Sequence, residues 1–369
     1  MNVVIAAGGT GGHVYPAVAL AQEFQRQRPG TRISFVGTSR GIERKVLAHE
    51  GFELDLIGAQ PVMGKRLLDA LKGLVALPRG LWQSIGIVRR RRADLVVGIG
   101  GYSSPPVIAA AFLLGVPRVI LEPNAYPGMA NKAVASLANR VFLAYEQATP
   151  HFDPTTVRVV GTPVRRGFLD ALAADSPAKE RGEGQTLLVF GGSQGAHAIN
   201  LAMIAALPHL MAREGWRTGL RMIHQTGEAD CAEVKAAYAA TGIPSERAQV
   251  VPFLYDMPSV LRQADLVVAR SGAVTLAELT LRGVPSILVP LPTSIYGHQE
   301  QNARVLEAAG ACMLMLQHTM TGERLADVIG DMLEDTDRLA QMGRASKQLG
   351  RADAAEVMAR ECLTLGGQA

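Results

Sequence analysis

His13 closes the run Gly8-Gly9-Thr10-Gly11-Gly12-His13, which directly follows the apolar residues Val3-Val4-Ile5-Ala6-Ala7. An imidazole placed there can take or give a proton near neutral pH. The glycines permit positive φ and close backbone approach to a ligand. A helix opening at this point aims free N–H groups and its positive dipole end at an anion, so a phosphate or pyrophosphate is the natural guest. The spacing is not Gly-x-Gly-x-x-Gly, because Val14 stands where the third glycine belongs, and no Lys-Ser or Lys-Thr follows to make a P-loop. Neither a dinucleotide dehydrogenase nor a P-loop NTPase is favoured.

One glycine-rich turn is common to many α/β domains, but this chain repeats it. Leu187-Leu188-Val189-Phe190 leads into Gly191-Gly192-Ser193-Gln194-Gly195-Ala196-His197. A third apolar run, Leu266-Val267-Val268-Ala269, leads into Arg270-Ser271-Gly272-Ala273-Val274-Thr275-Leu276-Ala277-Glu278, where Ser271 is expected to cap a helix. Glu278, about one and a half turns in, is either a surface carboxylate or a group that holds a vicinal diol such as a ribose. The amides of Gly297-His298-Gln299-Glu300-Gln301-Asn302 suit sugar hydroxyls, since they donate and accept at once. Gly100-Gly101-Tyr102-Ser103-Ser104 and Glu122-Pro123-Asn124 also follow apolar runs. In open α/β sheets ligands bind beyond the carboxyl ends of strands, so these clusters are expected to face one cleft. Asp335-Thr336-Asp337 has the Asp-x-Asp form of a metal pair but sits in a charged helical tail, which reads as a solvated helix surface. No protein-bound metal and no cofactor is expected.

The elements that position these residues follow from the alternation of patterns. Strands are expected near 2–6, 32–36, 53–57, 94–98, 118–121 and 140–143, with helical stretches between them. A turn-rich passage near 151–168 suits a linker, and a polar loop spans 173–185. Strands are expected again near 186–190, 220–224, 248–251, 265–269, 285–289 and 312–316, and the pattern is helical after Thr321. Such alternation predicts two doubly wound parallel sheets of class α/β. A length of 369 residues accommodates two such domains.

Three scattered cysteines make no disulfide framework or metal cluster, and no export signal is read at the N-terminus, so a reducing cytoplasm is the simplest home. Residues 95–117 are uncharged but interrupted by glycines and prolines, leaving too little for the roughly 20 apolar residues of a spanning helix. Residues 1–160 hold 18 Lys and Arg against 10 Asp and Glu, whereas 161–369 hold 19 against 23. The basic half should face an acidic partner or surface. Its most basic stretch, 63–92, contains Lys65, Arg66, Lys72, Arg79 and Arg89-Arg90-Arg91-Arg92 against Asp69, interleaved with leucines and Trp82. That pattern fits an amphipathic segment on an anionic membrane, and equally an ordinary helix with solvated arginines. Nucleic acid ranks third, because aromatic interleaving is missing.

Taken in order, the motifs at 8–13, 100–104, 122–124, Gly161-Thr162-Pro163-Val164-Arg165, 191–195, 270–278 and His298-Gln299-Glu300-Gln301-Asn302-Ala303 resemble those of the MurG family, the peptidoglycan N-acetylglucosaminyltransferases of glycosyltransferase family 28. The resemblance covers nearly the whole chain. It implies a GT-B fold of two Rossmann-like domains facing across a cleft: 1–160 on the acceptor and membrane side, 161–345 for the donor, and a C-terminal helix, 346–369, packing back on the first domain. It implies inverting transfer of GlcNAc from UDP-GlcNAc to the 4-hydroxyl of MurNAc in undecaprenyl-pyrophosphoryl-MurNAc-pentapeptide, turning lipid I into lipid II through a β-1,4 linkage. Matched by position, Thr10, Gly11, Gly12 and Asn124 are the implied donor contacts of the first domain. Those of the second are Arg165, Ser193, Leu254, Ala273, Val274, Thr275, Leu276, Ala277, Glu278 and Gln299. Glu278 is implied to hold the ribose, the Leu254 backbone the uracil edge, and Gln299 with Asn302 the sugar hydroxyls. His13 is the implied general base, with Glu122 as its rival, and Tyr102, Asn131 and Asn200 fall on polar positions of the family. The chain departs from the family at Leu121 and Pro123, where His-Glu-Gln-Asn is usual, and at Thr162, where Asn is usual. A lipid-linked acceptor favours the membrane reading of 63–92 and a peripheral place on the cytoplasmic face of the cell membrane. Rival readings are another UDP-sugar-dependent transferase of the same architecture, such as a glycolipid glycosyltransferase, a UDP-GlcNAc 2-epimerase, and a non-catalytic nucleotide-sugar-binding regulator.

Overall fold

The computed structural model describes residues 1–9, 11–38, 43–58, 67–174, 184–192, 194–213 and 216–367, with backbone alone for 67–77 and 217–218. The chain divides into two units, Met1–Arg166 with Arg351–Ala369, and Gly167–Gly350. Each is built on one parallel sheet with helices between its strands.

The first sheet contains β1 Asn2–Ala7, β2 Arg32–Gly37, β3 Glu53–Leu56, β4 Leu95–Gly100, β5 Arg118–Glu122, β6 Arg140–Leu143 and β7 Val157–Val159. Their order is β3-β2-β1-β4-β5-β6-β7, so the winding reverses between β1 and β4. Both faces are covered, which explains the unbroken apolar runs. Val3, Ile5 and Ala7 face one core with Leu20 and Phe24, while Val4 and Ala6 face the other with Val107 and Ile108. The Ala354–Gly366 helix places Met358, Ala359 and Cys362 in the first of these cores, and its Glu361 lies 3.5 Å from Arg140 and 3.7 Å from Arg158.

The passage expected to be a linker contains β7, which pairs in parallel with β6 through Val141 and Val157. Three residues suffice for an edge strand with a single partner, and the turns on either side hid it.

The second sheet contains β8 Gln185–Phe190, β9 Leu220–Gln225, β10 Ala248–Val251, β11 Leu266–Ala269, β12 Ser286–Leu288 and β13 Met313–Leu314, in the order β10-β9-β8-β11-β12-β13. Here the winding reverses between β8 and β11. One face packs on the His197–Ala212 and Gly322–Glu334 helices through Met203, Leu207, Leu325 and Ile329.

At the first reversal point the loops after β1 and β4 touch. Gly101 has φ +74°, and a Cβ there would collide with the Gly8 carbonyl oxygen. Gly51 also has φ +74°, but with nothing within 4 Å of an added Cβ. Gly51→Ala therefore meets only the left-handed backbone cost of about 1–2 kcal/mol, whereas Gly101→Ala must also move backbone and should cost about 3 kcal/mol or more. Urea unfolding followed by a probe in the first unit should show this ordering of midpoints.

Candidate functional site

In the first unit, candidate residues stand on the loops after β1, β4 and β5, adjacent strands whose carboxyl ends flank the reversal point. The Gly11–Gln27 helix begins in the glycine run and fixes His13 in its first turn. His13 Nδ1 lies 3.1 Å from the Gly8 carbonyl oxygen. A carbonyl only accepts, so the proton sits on Nδ1 and the neutral ring presents its lone pair at Nε2. Gly100, with φ +109°, lies against that nitrogen, and a Cβ there would sit 3.0 Å from Nε2. Desolvation lowers the His13 pKa, opposed by the hydrogen bond to Gly8 and by the field of Glu43. The ring is thus held neutral, as a proton acceptor must be.

Glu43 was not among the residues singled out from sequence. It opens the Glu43–His49 helix and is fully buried beneath the glycine run. Its Oε2 accepts the Gly9 N–H at 3.2 Å, and its Oε1 accepts the Thr38 N–H at 2.9 Å and the Thr38 hydroxyl at 3.2 Å. Nothing in its local spacing announces a partner 34 residues away.

Glu122, 1 % exposed at the end of β5, is surrounded by donors. Oε1 accepts from the backbone N–H and side-chain amide of Asn124, both at 3.0 Å. Oε2 accepts from the Gly128 N–H and the Asn131 amide, both at 2.9 Å. Burial raises its pKa, while these four bonds counter the rise. Asn131 also donates to the Leu121 carbonyl at 3.1 Å. Glu122, Asn124 and Asn131 therefore form one knot that shapes the 122–131 loop. Tyr102, on the loop after β4, is exposed, and Arg165 stacks over the Tyr15 ring at 4.8 Å. Arg165 thereby belongs to the first unit.

In the second unit, the loops after β8, β10, β11 and β12 carry the candidates. The Ala273–Arg282 helix opens after Gly272, not after a capping serine, because Ser271 turns its hydroxyl to the Gln299 carbonyl at 2.7 Å. No side chain caps the N-terminus of that helix, so its first-turn N–H groups lack a side-chain acceptor there. Ala273, Leu276 and Glu278 are buried, whereas Val274, Thr275 and Ala277 are half-buried. Gln299 uses Oε1 to accept the Leu291 N–H at 3.0 Å, which orients its amide. Asn302, fully buried, lies 3.4 Å from the Ser271 carbonyl and so ties the two loops together. Leu254 is buried between exposed Phe253 and Tyr255. Arg270 donates to the carbonyls of Val289 and Pro290 at 3.1 and 3.0 Å and to Gln317 at 2.7 Å, so it braces the β12 loop.

Asn200 faces protein. Its amide nitrogen donates to the Thr226 carbonyl at 2.9 Å and to Asp230 at 2.7 Å, and its oxygen meets His224 Nε2 at 3.1 Å. His224 Nδ1 in turn lies 3.1 Å from the Tyr238 hydroxyl. Thr10, Ser193 and residues 63–66 lie outside the described residues. Asp335 caps the Thr336–Gln348 helix by accepting the Arg338 N–H at 2.9 Å. Among the described residues, no group of three or more His, Cys, Asp or Glu is placed to hold a metal ion.

Models of the glycosyltransferase family 28 N-terminal and C-terminal domains match residues 3–143 and 186–358. A protein of Syntrophotalea carbinolica is 42 % identical over 368 residues, covering 100 % of both chains. One of Myxococcus xanthus is 42 % identical over 365 residues, covering 99 % of this chain and 93 % of its own. Both bear the name UDP-N-acetylglucosamine--N-acetylmuramyl-(pentapeptide) pyrophosphoryl-undecaprenol N-acetylglucosamine transferase. The crystal structure of Acinetobacter baumannii MurG superposes with a TM-score of 0.78 at 28 % identity, covering 98 % of this chain and 99 % of that one. A putative UDP-N-acetylglucosamine 2-epimerase from Listeria monocytogenes shares the fold, with a TM-score of 0.69 at 17 % identity over 100 % of this chain and 97 % of its own.

The buried network around Asn200 makes the second unit sensitive to acid. Burial pushes His224 down from 6.5 to about 3. Its contribution to stability is full above pH 6.5 and is lost as pH falls toward 3, because the unfolded chain takes up a proton that the folded one refuses. The slope should approach about 1.4 kcal/mol per pH unit in that window. His224→Gln should flatten the difference in denaturation midpoint between pH 7 and pH 4 for a probe in the second unit.

Proposed function

The chain belongs to glycosyltransferase family 28, and from that premise we infer that it transfers N-acetylglucosamine from UDP-N-acetylglucosamine to N-acetylmuramyl-(pentapeptide) pyrophosphoryl-undecaprenol, converting lipid I to lipid II in peptidoglycan synthesis. The observation that carries this reading is 42 % identity over the full length of a transferase of that name.

The finer chemistry is an inverting displacement that makes a β-1,4 linkage. His13 Nε2 takes the proton of the acceptor 4-hydroxyl as that oxygen attacks the anomeric carbon and the bond to UDP breaks. The hydrogen bond that keeps the Nδ1 proton in place supports this role. Glu122, the rival base, has both oxygens engaged by four N–H donors, which supports a role in shaping the 122–131 loop. The pyrophosphate gains charge as UDP leaves, and the uncapped helix N-terminus at Gly272 is suited to stabilise it. Thr10, Gly11, Gly12, Asn124, Ser193 and residues 273–278 contact the donor in this scheme. Glu278 holds the ribose diol, the Leu254 backbone the uracil, and Gln299 the sugar hydroxyls.

The enzyme works from the cytoplasmic face of the membrane without spanning it. Among the described residues, no helix is long and apolar enough to cross a bilayer. Trp82, on the Leu67–Arg90 helix, is 74 % exposed, and Phe112 and Leu113 are exposed on the neighbouring Ser104–Leu113 helix. Exposed Arg79 and Arg89 accompany them. Apolar anchors beside cations suit an anionic leaflet.

With labelled UDP-N-acetylglucosamine, label should enter the lipid fraction only when the lipid-linked acceptor is present; donor conversion without acceptor would instead indicate an epimerase. His13→Ala should lower kcat on the order of 1,000-fold with donor affinity nearly unchanged, and a variant transferring at the wild-type rate would remove His13 as the base. Trp82→Glu should weaken cosedimentation with anionic vesicles roughly tenfold or more, while turnover of a short-chain soluble acceptor is preserved.

A further inference from the structure

The peptide between Gly8 and Gly9 is bonded at both ends. Its carbonyl accepts from His13 Nδ1 at 3.1 Å, and its N–H donates to Glu43 Oε2 at 3.2 Å. The chain of contacts runs from carboxylate to peptide N–H, from peptide carbonyl to imidazole N–H, and ends at the Nε2 lone pair. We propose that Glu43 is the positioning residue of the base, acting through the polarised Gly8–Gly9 peptide to fix the Nδ1–H tautomer of His13 and to stabilise the imidazolium formed when Nε2 takes the acceptor's proton. This rests on the reading of His13 as the base.

Three observations support it. The Glu43 oxygens meet three donors, Gly9 N–H, Thr38 N–H and the Thr38 hydroxyl, so both oxygens are engaged as acceptors and held in place. The carboxylate is fully buried, where a charge acts with little screening. The surroundings are also shaped to seat it, because a Cβ on Gly8 would lie 3.0 Å from Oε1 and one on Gly37 would lie 2.8 Å from Cγ. Hydrogen bonds in series polarise one another, so a negative charge at one end makes the Gly8 carbonyl a better acceptor for the ring.

Among the described residues, Gly100 approaches His13 from β4 and brings no charge, and the Gly8 carbonyl is neutral. Glu43 is the charged side chain whose field raises the ring's affinity for a proton. During transfer the proton lost by the acceptor hydroxyl resides on Nε2, and the electron pair of the broken bond leaves with UDP. The imidazolium then has its counter-charge one peptide away.

The test is the titration of His13 in the full-length protein, read from ring-labelled histidine NMR with His13→Asn for assignment, beside the pH dependence of kcat. In Glu43→Gln the ring pKa should fall, the acid limb of kcat should move to lower pH, and the plateau kcat should drop roughly tenfold with KM for UDP-N-acetylglucosamine within about twofold. Glu43→Asp draws the carboxylate back from Gly9 while retaining the charge, and should move both quantities the same way by less. That variant decides the matter should Glu43→Gln not fold. A ring pKa and acid limb unmoved in a folded variant, whatever its kcat, would overturn the coupling while leaving His13 as base. A lowered ring pKa in Glu43→Gln together with wild-type transfer by His13→Ala would overturn the base and the positioning role built on it.

Discussion

The first unit depends on the placement of one carbonyl, that of Gly8. It accepts a hydrogen bond from His13 Nδ1–H and so sets the tautomer, and it approaches residue 101 so closely that no side chain fits there. Its own peptide N–H is held by a buried carboxylate. Strands β1 and β4 are neighbours at the point where the winding reverses, and the loops that leave their carboxyl ends meet at Gly8 and Gly101. Gly101 is thus required by contact with the Gly8 carbonyl, the same oxygen that accepts from His13 Nδ1.

The second unit solves a related problem with the same materials used differently. A Cβ on Gly195 would collide with the Thr226 carbonyl, and one on Gly227 with that of Gln194, so two loops again pass at backbone distance. Its histidine after the glycines, His197, is exposed and pairs with Asp230 at 3.0 Å, where His13 faces a peptide carbonyl. The repeated motif has therefore diverged in role. Buried amides and a neutral His224 anchor the loop that follows β9, while the helix after Gly272 has no side-chain cap.

The two sheets were legible because strands buried on both faces must be apolar throughout, as Val3 to Ala7 and Leu266 to Ala269 are. β7 escaped notice because Val157–Val159 is short, lies at an edge and is flanked by turns. At the site, residue types could be read but not the direction their polar atoms face. Asn131 stands on the Met129–Val134 helix and Asn200 on the His197–Ala212 helix, and both bond to protein atoms. Ser271 has the composition of a cap but the neighbouring Gln299 carbonyl wins its hydroxyl. Glu43 was invisible for a different reason, since its value lies entirely in contacts that only the folded sheet creates.

The reaction proposed for the chain is a single displacement in which neutral His13, with its proton on Nδ1, takes the proton of the acceptor hydroxyl. The measurement that meets it most directly is the anomeric configuration of the newly formed bond, read from the anomeric proton coupling in product made from the α-linked donor. A β product is predicted, since one attack opposite the leaving UDP inverts the centre. An α product would contradict the account, because it requires either a second displacement or attack from the departing face, and neither uses His13 as described.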